Sequence, residues 1–140
     1  MLLAEGLTKG FTGPADDVAA IRALNDAYAD AVFRRDAGDW GALWAEDAGW
    51  SLMGMQVQGR EAIVALWNQA MAGFAFVGFF VQHGAIAVSG DRAEGRIWTN
   101  EVLETVDGTQ SRPVGRYDDI YVRGGDGWRF HHRTFTLLKG

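Results

Sequence analysis

The apolar positions of this chain keep a helical period in the first half and a strand-like one in the second. Val18, Ile21, Leu24, Tyr28, Ala31 and Val32 recur at helical spacing, which predicts an amphipathic helix over residues 15–35. Pro14 suits its lead-in, and Asp16 and Asp17 put negative charge in the first turn, where the dipole favours it. Asp39 can cap a second, short helix over 40–46, with Trp40, Leu43 and Trp44 on its apolar side. Residues 49–53 read as a strand and 54–59 as a second short strand or turn. Ile63, Leu66, Trp67 and Ala70 then mark a third helix over 60–71.

From Phe74 onward the character changes. Gly90-Asp91, Asp107-Gly108 and Gly124-Gly125-Asp126-Gly127 separate four strand-like runs, roughly 76–89, 93–106, 113–123 and 128–138. Such a meander of long strands must curl if its strands are to share one core. Helices first and strands after is the α+β pattern. The expected fold is a cone of three N-terminal helices packed on a strongly curved antiparallel sheet that encloses a pocket. Residues 1–14, with Gly6, Gly10, Gly13 and Pro14, show no period and read as a flexible arm ahead of a single domain over 15–140.

Composition narrows the options. At 140 residues, a chain can bury about two-thirds of its unfolded surface, enough for one core and one cavity. Six Trp and eight Phe supply both core and pocket walls. A net charge of −5 with only two lysines, Lys9 and Lys139, counts against a nucleic-acid partner, because phosphate binding needs a basic face. Absence of cysteine excludes disulfides, thiol catalysis and thiolate metal sites, and makes the cytoplasm the default compartment. The start lacks the pattern of a signal peptide, and the most apolar stretch, 74–81, is too short to span a bilayer. No membrane role is expected.

The order of local motifs is familiar. Tyr28, Asp36, Asp39-Trp40, Leu43-Trp44-Ala45-Glu46-Asp47-Ala48 and Trp50, followed by Gly59-Arg60-Glu61-Ala62-Ile63, resemble the opening of SnoaL-like proteins of the NTF2-like superfamily. The second half agrees, with Gly90-Asp91-Arg92-Ala93, Gly115-Arg116-Tyr117-Asp118-Asp119 and Gly127-Trp128-Arg129-Phe130. The resemblance covers about residues 15–138. It implies a conical pocket, dimers packed through the sheet, and one of several chemistries: ketosteroid isomerases, scytalone and bile-acid dehydratases, a lindane dehydrochlorinase and polyketide cyclases share the fold. Some members only bind, so the site must choose among these.

The resemblance also carries single residues. Asp36 falls where the dehydratases and the dehydrochlorinase keep an aspartate that partners a histidine. The plain alternative is a helix cap. The family histidine would fall near Gly78, Phe79 or Phe80, where this chain has none; His83 follows a few residues later and needs a bulge or register change to serve. Tyr28 lies where ketosteroid isomerases keep an oxyanion-hole tyrosine, whereas the isomerase proton-shuttling aspartate would fall near Leu52, which moves no protons. Trp50 resembles a pocket tryptophan of the dehydrochlorinase, with Met53 following it. Glu101 falls near an acidic residue of the bile-acid dehydratases, and Asp119 near a protonated aspartate of the isomerases.

Alternation puts Tyr117, Asp119 and Tyr121 on one strand face, which we expect to be the inner one. It also groups Trp128, Phe130 and His132, pointing His132 inward and Arg129, His131 and Arg133 to solvent or a partner. The expected catalytic set is therefore Asp36, His83, Tyr28 and His132. The expected pocket residues are Trp50, Met53, Trp67, Phe80, Glu101, Tyr117 and Asp119, with no metal and no cofactor.

Two functions are consistent with these residues. One is a cofactor-independent lyase, isomerase or cyclase that moves protons on a small hydrophobic or cyclic substrate. The other is a non-catalytic module for a hydrophobic ligand or for dimerisation. Homodimerisation through the sheet is expected in either case, and a light-scattering mass of only 15.3 kDa would count against it.

Overall fold

The structure is a computed structural model and describes residues 10–140. The chain runs β1 (Gly10–Thr12), α1 (Ala15–Arg34), α2 (Ala37–Ala42), β2 (Trp44–Leu52), β3 (Met55–Gln58), α3 (Arg60–Met71), β4 (Phe74–Ser89), β5 (Arg92–Thr105), β6 (Gln110–Ser111), β7 (Val114–Gly124) and β8 (Gly127–Lys139). The arm expected over 1–14 lies outside the described residues as far as residue 9. Beyond it, Gly10–Thr12 is a strand that pairs parallel with Ala85–Ala87.

The expected meander is present: β4, β5, β7 and β8 pair antiparallel in turn. The sheet as a whole is mixed rather than antiparallel, in the order β1-β4-β5-β7-β8-β2-β3. Both β1 against β4 and β2 against β8 are parallel. The latter pairing also corrects the second helix. Trp44 is already opposite Phe130 in the sheet, so the helix ends at Ala42 instead of running to 46.

Helix α1 lays its predicted stripe on the sheet, with Ile21, Leu24, Tyr28, Ala31 and Val32 all buried. It stops at Arg35, whose left-handed backbone (φ 56°) turns the chain toward α2. Asp36, not Asp39, caps α2: its Oδ1 accepts from the Asp39 amide at 2.9 Å. Asp39 sits in the first turn of α2, in an ion pair with Arg34. On α3, Ile63 and Trp67 face the core, and Trp67 stacks on Trp40 with centroids 4.7 Å apart.

Of the register shifts along the sheet, two bear on the predicted histidines. In β4, His83 pairs with Ile97 and Ala85 with Arg96, leaving Gly84 as the extra residue. In β8, Phe130 pairs with Tyr121 and His132 with Ile120, leaving His131 as the extra residue. Alternation restarts there. Phe130 and Arg133 both face the core with no exposed surface, and His132 turns to the outer face. The expectation of an inward His132 and an outward Arg133 is thereby reversed. At Gly49, opposite His132, a Cβ would lie 2.6 Å from the imidazole Cδ2, so the histidine packs on bare backbone there.

Candidate active site

Where α1, α3 and the curved sheet diverge, a cavity of about 400 Å³ opens. Each layer contributes one deep side chain: Tyr28 from α1, Trp67 from α3, Trp50 from β2, Phe79 from β4, Glu101 from β5 and Tyr117 from β7. Met53, Met71, Phe74 and Leu137 also line the cavity, with Met53 and Leu137 exposed to solvent. Met53 reaches it from the two-residue turn between β2 and β3, where it and Gly54 both hold positive φ. Phe135 enters beside Tyr117 because Gly115 has no side chain; a Cβ there would come within 2.3 Å of the ring.

The polar atoms inside are few. Trp50 Nε1–H donates to the Tyr117 hydroxyl at 3.1 Å, and the Tyr117 ring meets that of Tyr28 edge-on, with centroids 6.3 Å apart. Since Tyr117 accepts from Trp50, its own proton remains to donate, and Tyr28, which also lines the cavity, has an O–H to offer whatever occupies it. Burial raises both phenols above their ordinary acidity range, and the nearby Arg133 guanidinium pulls each part of the way back.

Glu101 is the other ionisable group. It stands opposite Phe79 in the sheet, on the inner face, and burial pushes its carboxyl up to about 7. Among the described residues that line the cavity there is no Lys, Arg or His to hold it ionised. Near neutral pH such a carboxyl both takes and gives a proton readily.

Other predicted residues lie elsewhere. Phe80, expected in the wall, points to the outer face and is half-exposed against Phe33; its neighbour Phe79 takes the inner position. Asp36 caps α2 and bonds Arg34 at the surface, outside the cavity lining. His83 does face inward, sharing a face with Phe79, but it pairs with Asp26 of α1 at 3.1 Å and does not line the cavity. On the outer face, His132 sits 3.4 Å from Ser51 Oγ, and burial lowers its pKa. The expected set therefore divides, with Tyr28, Trp50, Met53, Trp67, Glu101 and Tyr117 together in the cavity and Asp36, His83 and His132 apart from it and from one another.

Asp119 is inward as expected but does not line the cavity. Its two oxygens accept from Arg133 Nε at 2.8 Å, Arg133 Nη2 at 3.0 Å and the Tyr121 hydroxyl at 2.7 Å. Asn25 of α1 completes the group, donating to Tyr121 and accepting from Arg133. Burial pushes the Asp119 carboxyl up, and Arg133 and Tyr121 pull it back. Burial alone would lower Arg133; Asp119 outweighs it and holds the guanidinium above its ordinary value. Arg133 is the residue that sequence reasoning missed, because a bulge inside a strand carries no periodic signal. Among the described residues, no three His, Asp or Glu side chains gather as a metal-ligand group, and no helix is long and apolar enough to cross a membrane.

A cone of three helices on a curled sheet around an aromatic cavity defines an NTF2-like protein. The SnoaL-like domain model matches residues 14–134, and the chain belongs to that family. No curated protein sequence matches it. Among solved structures it is similar to a candidate aromatic ring hydroxylase from Novosphingobium aromaticivorans, at 25% identity over 92% of this chain and 94% of that one, with a TM-score of 0.86. It also resembles a type 2 hexachlorocyclohexane dehydrochlorinase (LinA), at 21% identity over 86% and 84% of the two chains and a TM-score of 0.80. A candidate dehydratase of the NTF2-like family from Streptomyces avermitilis is similar at 20% identity over 91% and 100%, again with a TM-score of 0.80. Likeness at these identities speaks to the fold.

Proposed function

We propose that this protein is a cofactor-independent acid–base catalyst, of the lyase, isomerase or cyclase kind, for a small hydrophobic or cyclic substrate held in the aromatic cavity. The observation that carries this reading is Glu101, a carboxyl raised to about 7 that faces the cavity without a lining cation. As a carboxylate it takes the proton from a carbon next to a carbonyl. The C–H electron pair becomes a C=C bond and the carbonyl π pair moves onto oxygen, which the Tyr28 O–H stabilises. The proton then returns to another carbon, or a leaving group departs from the adjacent one. Two similar structures are a dehydrochlorinase and a candidate dehydratase, and reactions of those kinds lose a proton with a leaving group, which supports the elimination branch.

The test is proton exchange rather than turnover. A panel of cyclic ketones incubated with the protein in heavy water is followed by NMR for loss of the α-proton signal. Exchange should accelerate as pH rises through about 7, the range in which Glu101 ionises. Glu101→Gln should cost a factor of about a hundred or more, and Tyr28→Phe about ten to a hundred. Ketones that bind yet exchange at the background rate would overturn the catalytic reading. They would favour a non-catalytic hydrophobic-ligand module, which the apolar walls and the dispersed histidines also suit.

A further inference from the structure

Tyr28 and Tyr117 share a neighbour that never reaches the cavity. Arg133 has no exposed surface, and its guanidinium carbon lies 4.6 Å from the Tyr28 ring centroid, 3.7 Å from that of Tyr117 and 4.2 Å from that of Phe130. One edge of the guanidinium is spent on Asp119, while Nη1 has no hydrogen-bond partner. Besides closing an ion pair, the guanidinium has its planar face against the two phenols that line the cavity, where a cation is attracted to the ring face.

We propose that Arg133 is a positioning residue for this site: its stacked guanidinium stabilises negative charge on the Tyr28–Tyr117 pair, so the cavity selects ligands whose oxygen becomes anionic, namely phenols, enols and enolisable ketones. The inference rests on the acid–base reading of the cavity and names its ligand class. When a ligand oxygen that accepts from Tyr28 gains charge, the Tyr28 proton moves toward it and charge spreads onto the Tyr28 ring, which meets that of Tyr117 edge-on. A cation beneath those rings meets that charge in a water-poor interior, where it acts more strongly than it would in solvent. The titratable groups facing the stack are Tyr28 from α1, Glu101 from β5, and Tyr117, Asp119 and Tyr121 from β7. Asp118, on the outer face of β7, raises the Asp119 carboxyl.

The experiment measures binding of 4-nitrophenol, whose ionised form is yellow, to protein carrying Glu101→Gln so that this carboxyl does not titrate. The ratio of bound nitrophenolate to bound nitrophenol is read between about pH 5 and 8. Adding Asp119→Asn removes the counter-charge and leaves the cation, so the ratio should rise about threefold or more. Adding Asp119→Asn and Arg133→Gln together removes the cation without stranding its partner, and the ratio should fall about tenfold. A role confined to packing would move both in one direction or neither, and either result overturns the proposal. So does failure of 4-nitrophenol to bind at all. If the double replacement does not fold, the near-isosteric Asp119→Asn protein decides alone, and an unchanged ratio overturns the proposal. Nitrophenol binding needs no turnover, so this outcome is independent of ketone exchange.

Discussion

On the inner face of one sheet, Asp119 and Glu101 are both acids withdrawn from water, and their surroundings differ in every other respect. Asp119 accepts three charge-assisted or phenolic hydrogen bonds and lies against a buried guanidinium. Glu101 faces aromatic rings and has no cation in the cavity lining. Desolvation acts on both, completely on Asp119 and partly on Glu101, and the partners separate them further: the more deeply buried acid is locked into the scaffold, and the other is left able to exchange its proton. Burial alone therefore does not mark a working acid. On the proposed function, burial without a counter-charge at a cavity wall does.

The largest effect expected from breaking this contrast is at the paired acid. Asp119→Ala strands a buried guanidinium and should cost about 3–5 kcal/mol in denaturant unfolding. Glu101→Gln should act in the opposite sense, and with a pH dependence. Its folded carboxyl titrates near 7, above the value of an unfolded glutamate. The native protein thus carries its full stability below the unfolded pKa and loses part of it as pH rises through about 7. Glutamine removes that loss, so the variant should gain up to about 3 kcal/mol at pH 8 and nothing at about pH 4, read by paired melts. A gain that persists at low pH would count against the unpaired state of Glu101. The smallest effect is expected at the surface. Asp36→Ala should lower the melting temperature slightly through the lost α2 cap and leave ligand affinity in the cavity unchanged.

Much of this contrast was legible in the sequence wherever alternation runs unbroken. Tyr28 is inward because it sits on the α1 stripe, whereas Glu101 was brought to the pocket by its place in the family pattern. Tyr117 and Asp119 follow from the pattern of β7. The phase could not be read where neighbouring residues are alike, as in Phe79-Phe80, since either ring could have been the inner one. Nor could it be read across His131, where an extra residue resets the alternation and exchanges the faces assigned to His132 and Arg133. The cap of α2 failed for a third reason: Asp36 and Asp39 are both good cap residues, and the left-handed turn at Arg35, which favours the earlier one, has no signature in its side chain.

That extra residue in β8 has one more implication. Counting from Phe130 straight to His132, the strand alternates regularly, so a chain lacking His131 would keep Arg133 facing the core and His132 facing out. What it would lose is the local bend that a bulge adds to its strand. Curvature and facing are thus specified separately in β8. A one-residue deletion there would alter the girth of the cone without rewriting which residues line it.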